Sequence, residues 1–124
     1  MSAGAGPRLL IVDDEEHILS ALRRSLRREG YRIVTAASGE EGLSMLAREH
    51  VDLVLSDHKM PGINGLEFLK RAGVLQPRAA LLLITGWTEE VPTHQLQAAG
   101  VRGLISKPWD DAELKRALKA ALHE

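Results

Sequence analysis

Five polar side chains stand out because each closes an apolar run. Asp13 and Asp14 follow Leu9-Leu10-Ile11-Val12, and Asp57 follows the run from Val51 to Ser56. Thr85 ends the run from Ala80 to Ile84, and Lys107 ends the one from Val101 to Ser106. If those runs are strands of one sheet, all five side chains gather at one edge of it. Carboxylates that close together repel, and one would take up a proton unless a cation stood among them. An oxygen-only donor set suits Mg²⁺, which keeps several waters and binds through one or two carboxylates plus phosphate oxygens. A carboxylate is also a nucleophile toward phosphorus, forming an acyl phosphate. Such a transfer needs positioning and neutralised charge more than covalent help. The Lys107 ammonium would supply part of that neutralisation, and the Thr85 hydroxyl could donate to a phosphoryl oxygen. Taken singly, Asp13 reads as a helix cap, Thr85 as a strand threonine and Lys107 as a surface lysine. Only the set points to phosphoryl chemistry.

The elements that must position these residues can be read from periodicity. The runs at Leu9, Val51 and Ala80 have the length of buried strands. Tyr31 to Ala36 is β-branched and partly alternating, as in a strand nearer an edge, and Val101 to Ser106 is a weaker fifth. Between them lie helical stripes. Ile18, Leu22 and Leu26 form the first. Arg23, Arg24, Arg27 and Arg28 come late in that helix, either as a solvated face suited to a helix C-terminus or as a surface for an acidic partner. Ser38-Gly39-Glu40-Glu41 is a capping box, and Leu43, Leu46 and Ala47 follow it. Asn64 to Glu67 repeats that logic for a third helix through Leu69, and Asp110 to Glu113 for a last one with Leu114, Ala117, Leu118 and Ala121. Pro92 suits a helix start near Val91, and Gly100 its C-terminal cap. Strict βα alternation implies a parallel sheet covered by helices on both faces, with ligands beyond the carboxyl ends of the strands.

The chain's overall chemistry narrows the classes of function. Its 124 residues fit a single domain. Met1 to Pro7 reads as a short flexible tail, with the domain over residues 8–124 and no output domain expected after it. A net charge of −1, from 16 basic and 17 acidic side chains, argues against direct nucleic-acid binding. The lack of cysteine excludes disulfides and thiol chemistry and is compatible with a cytoplasmic protein. No apolar stretch approaches the length of a membrane span. The histidines His17, His50, His58, His94 and His123 have no metal-ligand spacing.

The stretches Val12-Asp13-Asp14-Glu15, Ser56-Asp57-His58-Lys59-Met60-Pro61-Gly62-Ile63-Asn64-Gly65, Ile84-Thr85-Gly86 and Ser106-Lys107-Pro108-Trp109 together resemble the receiver domain of bacterial two-component response regulators. The likeness runs from Arg8 to Leu122. It implies a doubly wound, flavodoxin-like (βα)5 fold with strand order 2-1-3-4-5. Asp57 is then the acceptor of a phosphoryl group from a phosphohistidine on a sensor histidine kinase or phosphotransfer protein. Mg²⁺ is expected on Asp14, Asp57 and the backbone carbonyl of Lys59, with Asp13 acting through water. Thr85 and Lys107 close on the phosphoryl group, and Lys107-Pro108 is expected to be cis. The implied partner is an output domain or downstream protein, with HD-type phosphodiesterases among the candidates because similar receivers precede them. The implied role is that of a switch rather than an enzyme.

Two features depart from the family pattern. Leu104 stands where receivers usually carry an aromatic or histidine, and its plain reading is an apolar residue packed on the fifth strand. The signal is then expected to leave through the loop after Thr85, with Gly86 and Trp87. Lys59 and Trp87 stand where side chains can gate water, and Trp87 and Trp109 are expected near the site mouth, for gating or for ordinary packing. Two other functions fit parts of the sequence. An aspartate-nucleophile phosphohydrolase on a similar sheet would want Asp-x-Asp after the first strand, where this chain has Asp13-Asp14. A pseudo-receiver that never takes phosphate would not need the complete acidic set.

Overall fold

The computed structural model describes residues 6–86 and 90–123. The expected flexibility of Met1 to Ala5 and the gating role of Trp87 therefore fall outside the described residues. The chain alternates β1 (Arg8–Val12), α1 (Glu16–Ser25), β2 (Arg32–Ala36), α2 (Gly39–Leu46), β3 (Leu53–Asp57), α3 (Gly65–Leu75), β4 (Ala80–Gly86), α4 (Thr93–Ala98), β5 (Val101–Lys107) and α5 (Asp111–Leu122). The strands form one parallel sheet in the order β2-β1-β3-β4-β5. This is the doubly wound, flavodoxin-like arrangement, with the order reversing at β1.

Side chains alternate across a strand, so each strand feeds two cores. Leu9 and Ile11 of β1, with Leu55 and Leu82, pack on Leu19 and Leu22 of α1 and Leu114 and Leu118 of α5. Leu10 and Val12, with Val54 and Leu83, pack on Leu46 of α2 and Phe68 and Leu69 of α3. Burial on both faces is why the central strands read as continuous apolar runs.

Helix starts follow the predicted caps. Ser38 Oγ accepts from Glu41 N at 3.0 Å, Asn64 Oδ1 from Glu67 N at 2.8 Å, and Asp110 Oδ2 from Glu113 N at 3.0 Å. The Ser38 box is not reciprocal as expected, because the Glu41 carboxylate accepts from Ala37 N instead, at 2.8 Å. Pro92 occupies the N-cap position itself, one residue outside α4. Gly100 has φ 79°, the left-handed conformation that lets the chain leave α4 and enter β5.

Several boundaries differ from the sequence reading. α3 runs on to Leu75 because buried Ala72 continues the apolar stripe beyond Leu69. α1 ends at Ser25, so Arg27 and Arg28 lie in the following turn and only Arg23 and Arg24 face the helix dipole. Val51 and Asp52 precede β3, where Asp52 Oδ2 accepts from Arg8 N at 2.8 Å. Gly6 and Pro7 are held rather than free: Gly6 O accepts from Arg32 Nε at 2.7 Å and Pro7 O from Arg32 N at 2.9 Å.

Leu104 is the clearest correction. It is 51% exposed rather than packed. It pairs in register with Leu83, on the sheet face that α4 should cover. α4 has six residues, none fully buried and only Leu96 half-buried on this core, and β5 is the last strand, so among the described residues this part of the face is left open.

Candidate functional site

The carboxyl ends of β1 and β3 meet at the point where strand order reverses. Asp13 follows β1; its N–H donates to Ala36 O at 3.2 Å, and its Oδ1 accepts from Glu15 N at 2.9 Å. These bonds fix the carboxylate at the sheet edge, 1% exposed. Asp14, next in the chain, is exposed. Asp57 is the last residue of β3 and is 4% exposed. One carboxylate oxygen from each of Asp13, Asp14 and Asp57 lies within 4.8 Å of the others.

Lys107 ends β5 and reaches across to this group. Its Nζ lies 2.8 Å from Asp57 Oδ1 and 3.2 Å from Asp13 Oδ2. The Lys107–Pro108 peptide bond is cis, as the resemblance implied. Thr85 is the penultimate residue of β4, paired in register with Ser106, and half-buried at the same edge. Lys59 is exposed two residues beyond Asp57.

Burial sets the electrostatics. Desolvation raises the carboxyl of Asp57 above its ordinary value, and the nearby Asp13 charge pushes the same way, against the pull of Lys107. Desolvation also raises Asp13, opposed by the Glu15 amide and Lys107. For Lys107, burial favours the neutral amine, but its close approach to Asp57 and the charges of Asp13 and Asp57 outweigh it and hold the ammonium above its usual range. One cation thus faces a cluster with more negative charge than it can balance.

That imbalance bears on the divalent cation. Asp57 Oδ1 is buried and has no hydrogen bond, its approach to Lys107 being an ion pair without hydrogen-bond alignment. The donors are all oxygens, and two of the carboxylates are buried while Asp14 opens to solvent. This set fits Mg²⁺, a hard cation that retains part of its water shell.

Two supporting residues lie beyond the sequence-based choice of site residues. Ser56, 0% exposed, donates from Oγ to Asp57 O at 2.8 Å and fixes the backbone under the carboxylate. Gly65 donates from N to His58 O at 2.7 Å, and a Cβ there would collide with Asp57 O and lie 2.8 Å from His58 Cα. The signal for Ser56 was a polar residue closing an otherwise apolar run. Gly65 could have been found from its place directly after an N-cap asparagine.

Trp109 is not at the mouth of the cluster in any bonded sense. Its Nε1 donates to Ser25 Oγ at 3.0 Å at the end of α1, and Ser25 Oγ donates to Asp111 at 2.7 Å. The ring packs against the α1–α5 core, so the packing reading holds for it. His58 is half-buried; its backbone carbonyl takes the Gly65 bond, while its side-chain Nδ1 has no hydrogen-bond partner among the described residues.

Comparison with known proteins agrees with this geometry. Residues 9–119 match the family described as response regulator receiver domain. The chain is 34% identical over 115 residues to sporulation initiation phosphotransferase F of Bacillus subtilis, covering 93% of each. It superposes with a TM-score of 0.89 on a CheY-like receiver domain protein from Methanospirillum hungatei, at 33% identity over 96% of this chain and 95% of the other. A receiver domain of an HD domain-containing protein from Pseudomonas fluorescens gives 0.88 at 34% identity, over 95% of both chains. Other curated relatives include transcriptional regulatory proteins, of which the chain spans between 21% and 51%. A five-stranded sheet in this order, an acidic cluster at its switch point and a family match over most of the length lead to one assignment: the chain belongs to the receiver domain family of two-component response regulators.

Proposed function

We propose that Asp57 is the phosphoacceptor of this receiver, taking its phosphoryl group from a phosphohistidine on a sensor histidine kinase or phosphotransfer protein. The observation that carries the reading is the buried Asp57 carboxylate with an unbonded Oδ1, paired to Lys107 and beside Asp13 and Asp14. An Asp57 carboxylate oxygen attacks phosphorus, the phosphorus–nitrogen bond breaks, and the donor imidazole leaves with that electron pair. Lys107 keeps its charge throughout and pairs with the incoming phosphoryl oxygens. Thr85, at the end of the neighbouring strand, donates its hydroxyl once those oxygens are in place. Mg²⁺ bound by Asp14, Asp57 and the Lys59 carbonyl, with Asp13 through water, would supply further neutralisation of charge.

The product is a change of state rather than a released compound. Phosphorylation biases the loop after Thr85 only as far as its contacts differ between two conformations. Leu104 is already half exposed, so it has little burial to gain or lose in a switch, which favours that loop over β5 as the route outward. The proposed setting is the cytoplasm, and the proposed recipient is an output domain or separate protein. An HD-type output is one such recipient, since a similar receiver comes from an HD domain-containing protein.

Incubation with acetyl phosphate and Mg²⁺, read by intact-mass spectrometry, tests the acceptor. One phosphoryl adduct on the wild type and none on Asp57→Asn is expected. Equal labelling of both would move the acceptor elsewhere, and labelling of neither would make the chain a pseudo-receiver.

A further inference from the structure

The basic end of α1 has no part in the phosphoryl chemistry. Arg23, Arg24, Arg27 and Arg28 are all exposed. Among the described residues none of them pairs with a carboxylate, and only Arg23 is engaged, by a 3.4 Å hydrogen bond from Nη2 to Thr35 Oγ1. Arg23, Arg24 and Arg27 line a groove of about 360 Å³ with Leu26, Tyr31 and Ile33. The groove thus has an apolar floor and a cationic rim. It lies toward the end of α1 away from the acidic cluster, and a ten-residue helix places its two ends about 15 Å apart.

β2 forms the far wall of this groove and is an open sheet edge. It pairs with β1 alone. Arg32 N donates to Pro7 O, and Ala36 O accepts from Asp13 N, so both residues turn their peptide groups toward the β1 side. Successive residues of a parallel strand bond alternately to its two sides. The N–H and C=O groups of Ile33 and Thr35 therefore face outward, where no strand among the described residues receives them. Such an edge is a template for another strand.

We propose that the α1–β2 groove binds an acidic, extended segment of a partner protein, which adds as a strand to the open edge of β2 and sets its carboxylates against Arg23, Arg24 and Arg27. Side chains alternate across an extended segment, so the carboxylates that face α1 meet the arginines while the alternate apolar side chains lie on the other face of the sheet, beside Val34. A polypeptide is favoured over a nucleic acid on two grounds. The edge offers peptide partners at strand spacing, and the chain as a whole carries a net charge of −1.

The probe is a short end-blocked peptide of alternating glutamate and valine, titrated into the full chain at low salt by calorimetry. Binding is expected to weaken about tenfold in Arg24→Glu/Arg27→Glu, which exchanges two surface ion pairs for two like-charge contacts. Both residues are exposed, and circular dichroism checks the fold; Arg24→Gln/Arg27→Gln is the milder companion and should lose less. A peptide of equal charge with proline at the central valines lacks edge-pairing N–H groups and should also bind about tenfold more weakly. Amide exchange at Ile33 and Thr35 should slow with the alternating peptide only. Equal affinity for the proline peptide would reduce the site to charge attraction and overturn strand addition. Tighter binding of an oligothymidylate of the same charge would make it a nucleic-acid surface. Absence of binding, or binding indifferent to both arginine variants, would remove the proposal altogether.

Discussion

At the scale of single residues, the cost of the acidic cluster is measurable. Asp57 and Asp13 both have folded-state values above the ordinary aspartate value of 3.8, chiefly from burial. The folded protein therefore binds these protons more tightly than the unfolded chain. The resulting stability is present below the unfolded value and lost as pH rises through the folded one. Where both groups are ionised, their burial opposes folding. Asp57→Asn should accordingly raise stability at pH 7 by about 1 kcal/mol, roughly 4 °C in Tm. The gain should shrink as pH falls below the ordinary aspartate value, where the wild-type carboxyls are neutral as well. Thermal melts of both proteins across that range check the sign. A gain that grew toward low pH would mean that Lys107 holds the carboxylate more strongly than burial opposes it.

At the scale of elements, the site depends on how closely α3 approaches the end of β3. Asn64 caps α3 through Glu67 N, and Gly65 follows directly, with its N–H on His58 O and no room for a Cβ against the Asp57 carbonyl. The contact is with backbone, which cannot move aside as a flexible side chain would. Gly65→Ala should therefore push the helix start away from the acceptor. A loss of about 2–3 kcal/mol in urea unfolding is expected, in the range of overpacked sites. Slower labelling by acetyl phosphate should accompany it, although no ionisable group has changed. Gly73→Ala is the control on the same helix. Its nearest contact is the flexible end of Leu81 at 3.3 Å, and it should cost less and leave labelling alone.

At the scale of the whole molecule, the acidic cluster couples metal binding to global stability. β1 and β3 bring the carboxylates together only in the folded sheet, so a cation bound there favours the folded state by mass action. Mg²⁺ at about a hundred times its Kd should stabilise the wild type by roughly 2.7 kcal/mol. Asp14→Ala should abolish most of that gain, and Lys107→Ala should retain it. Melts with and without Mg²⁺, with calorimetric titration on the three proteins, separate the roles. Retention in Asp14→Ala with loss in Lys107→Ala would reverse the division of labour proposed for them. The same molecular view separates the two ends of α1. Acid gathers where it starts and arginine where it stops, so a phosphorylated partner surface and an acidic segment need not compete for one place.

Much of this protein follows from local rules that act within a few residues of sequence. Apolar runs at strand length, capping residues three positions before a glutamate, and Gly100 after α4 each carry their own physical cause, and the structure keeps them. The identities of Asp13, Asp14, Asp57 and Lys107 were legible for the same reason, since polar residues ending buried strands must face the sheet edge. Long-range packing decided the rest. Whether Leu104 is covered depends on a short α4 with no fully buried residue, a property of a neighbouring element rather than of β5. Trp109 could equally have lined the site or packed beneath it, and Ser25 of a distant helix settled the matter. Gly65 matters because the start of α3 packs directly against the Asp57 carbonyl and the His58 backbone. Side-chain type and spacing encode which groups reach the sheet edge. Which of them end up buried, paired or open to solvent depends on contacts between residues far apart in the chain, which no local pattern contains.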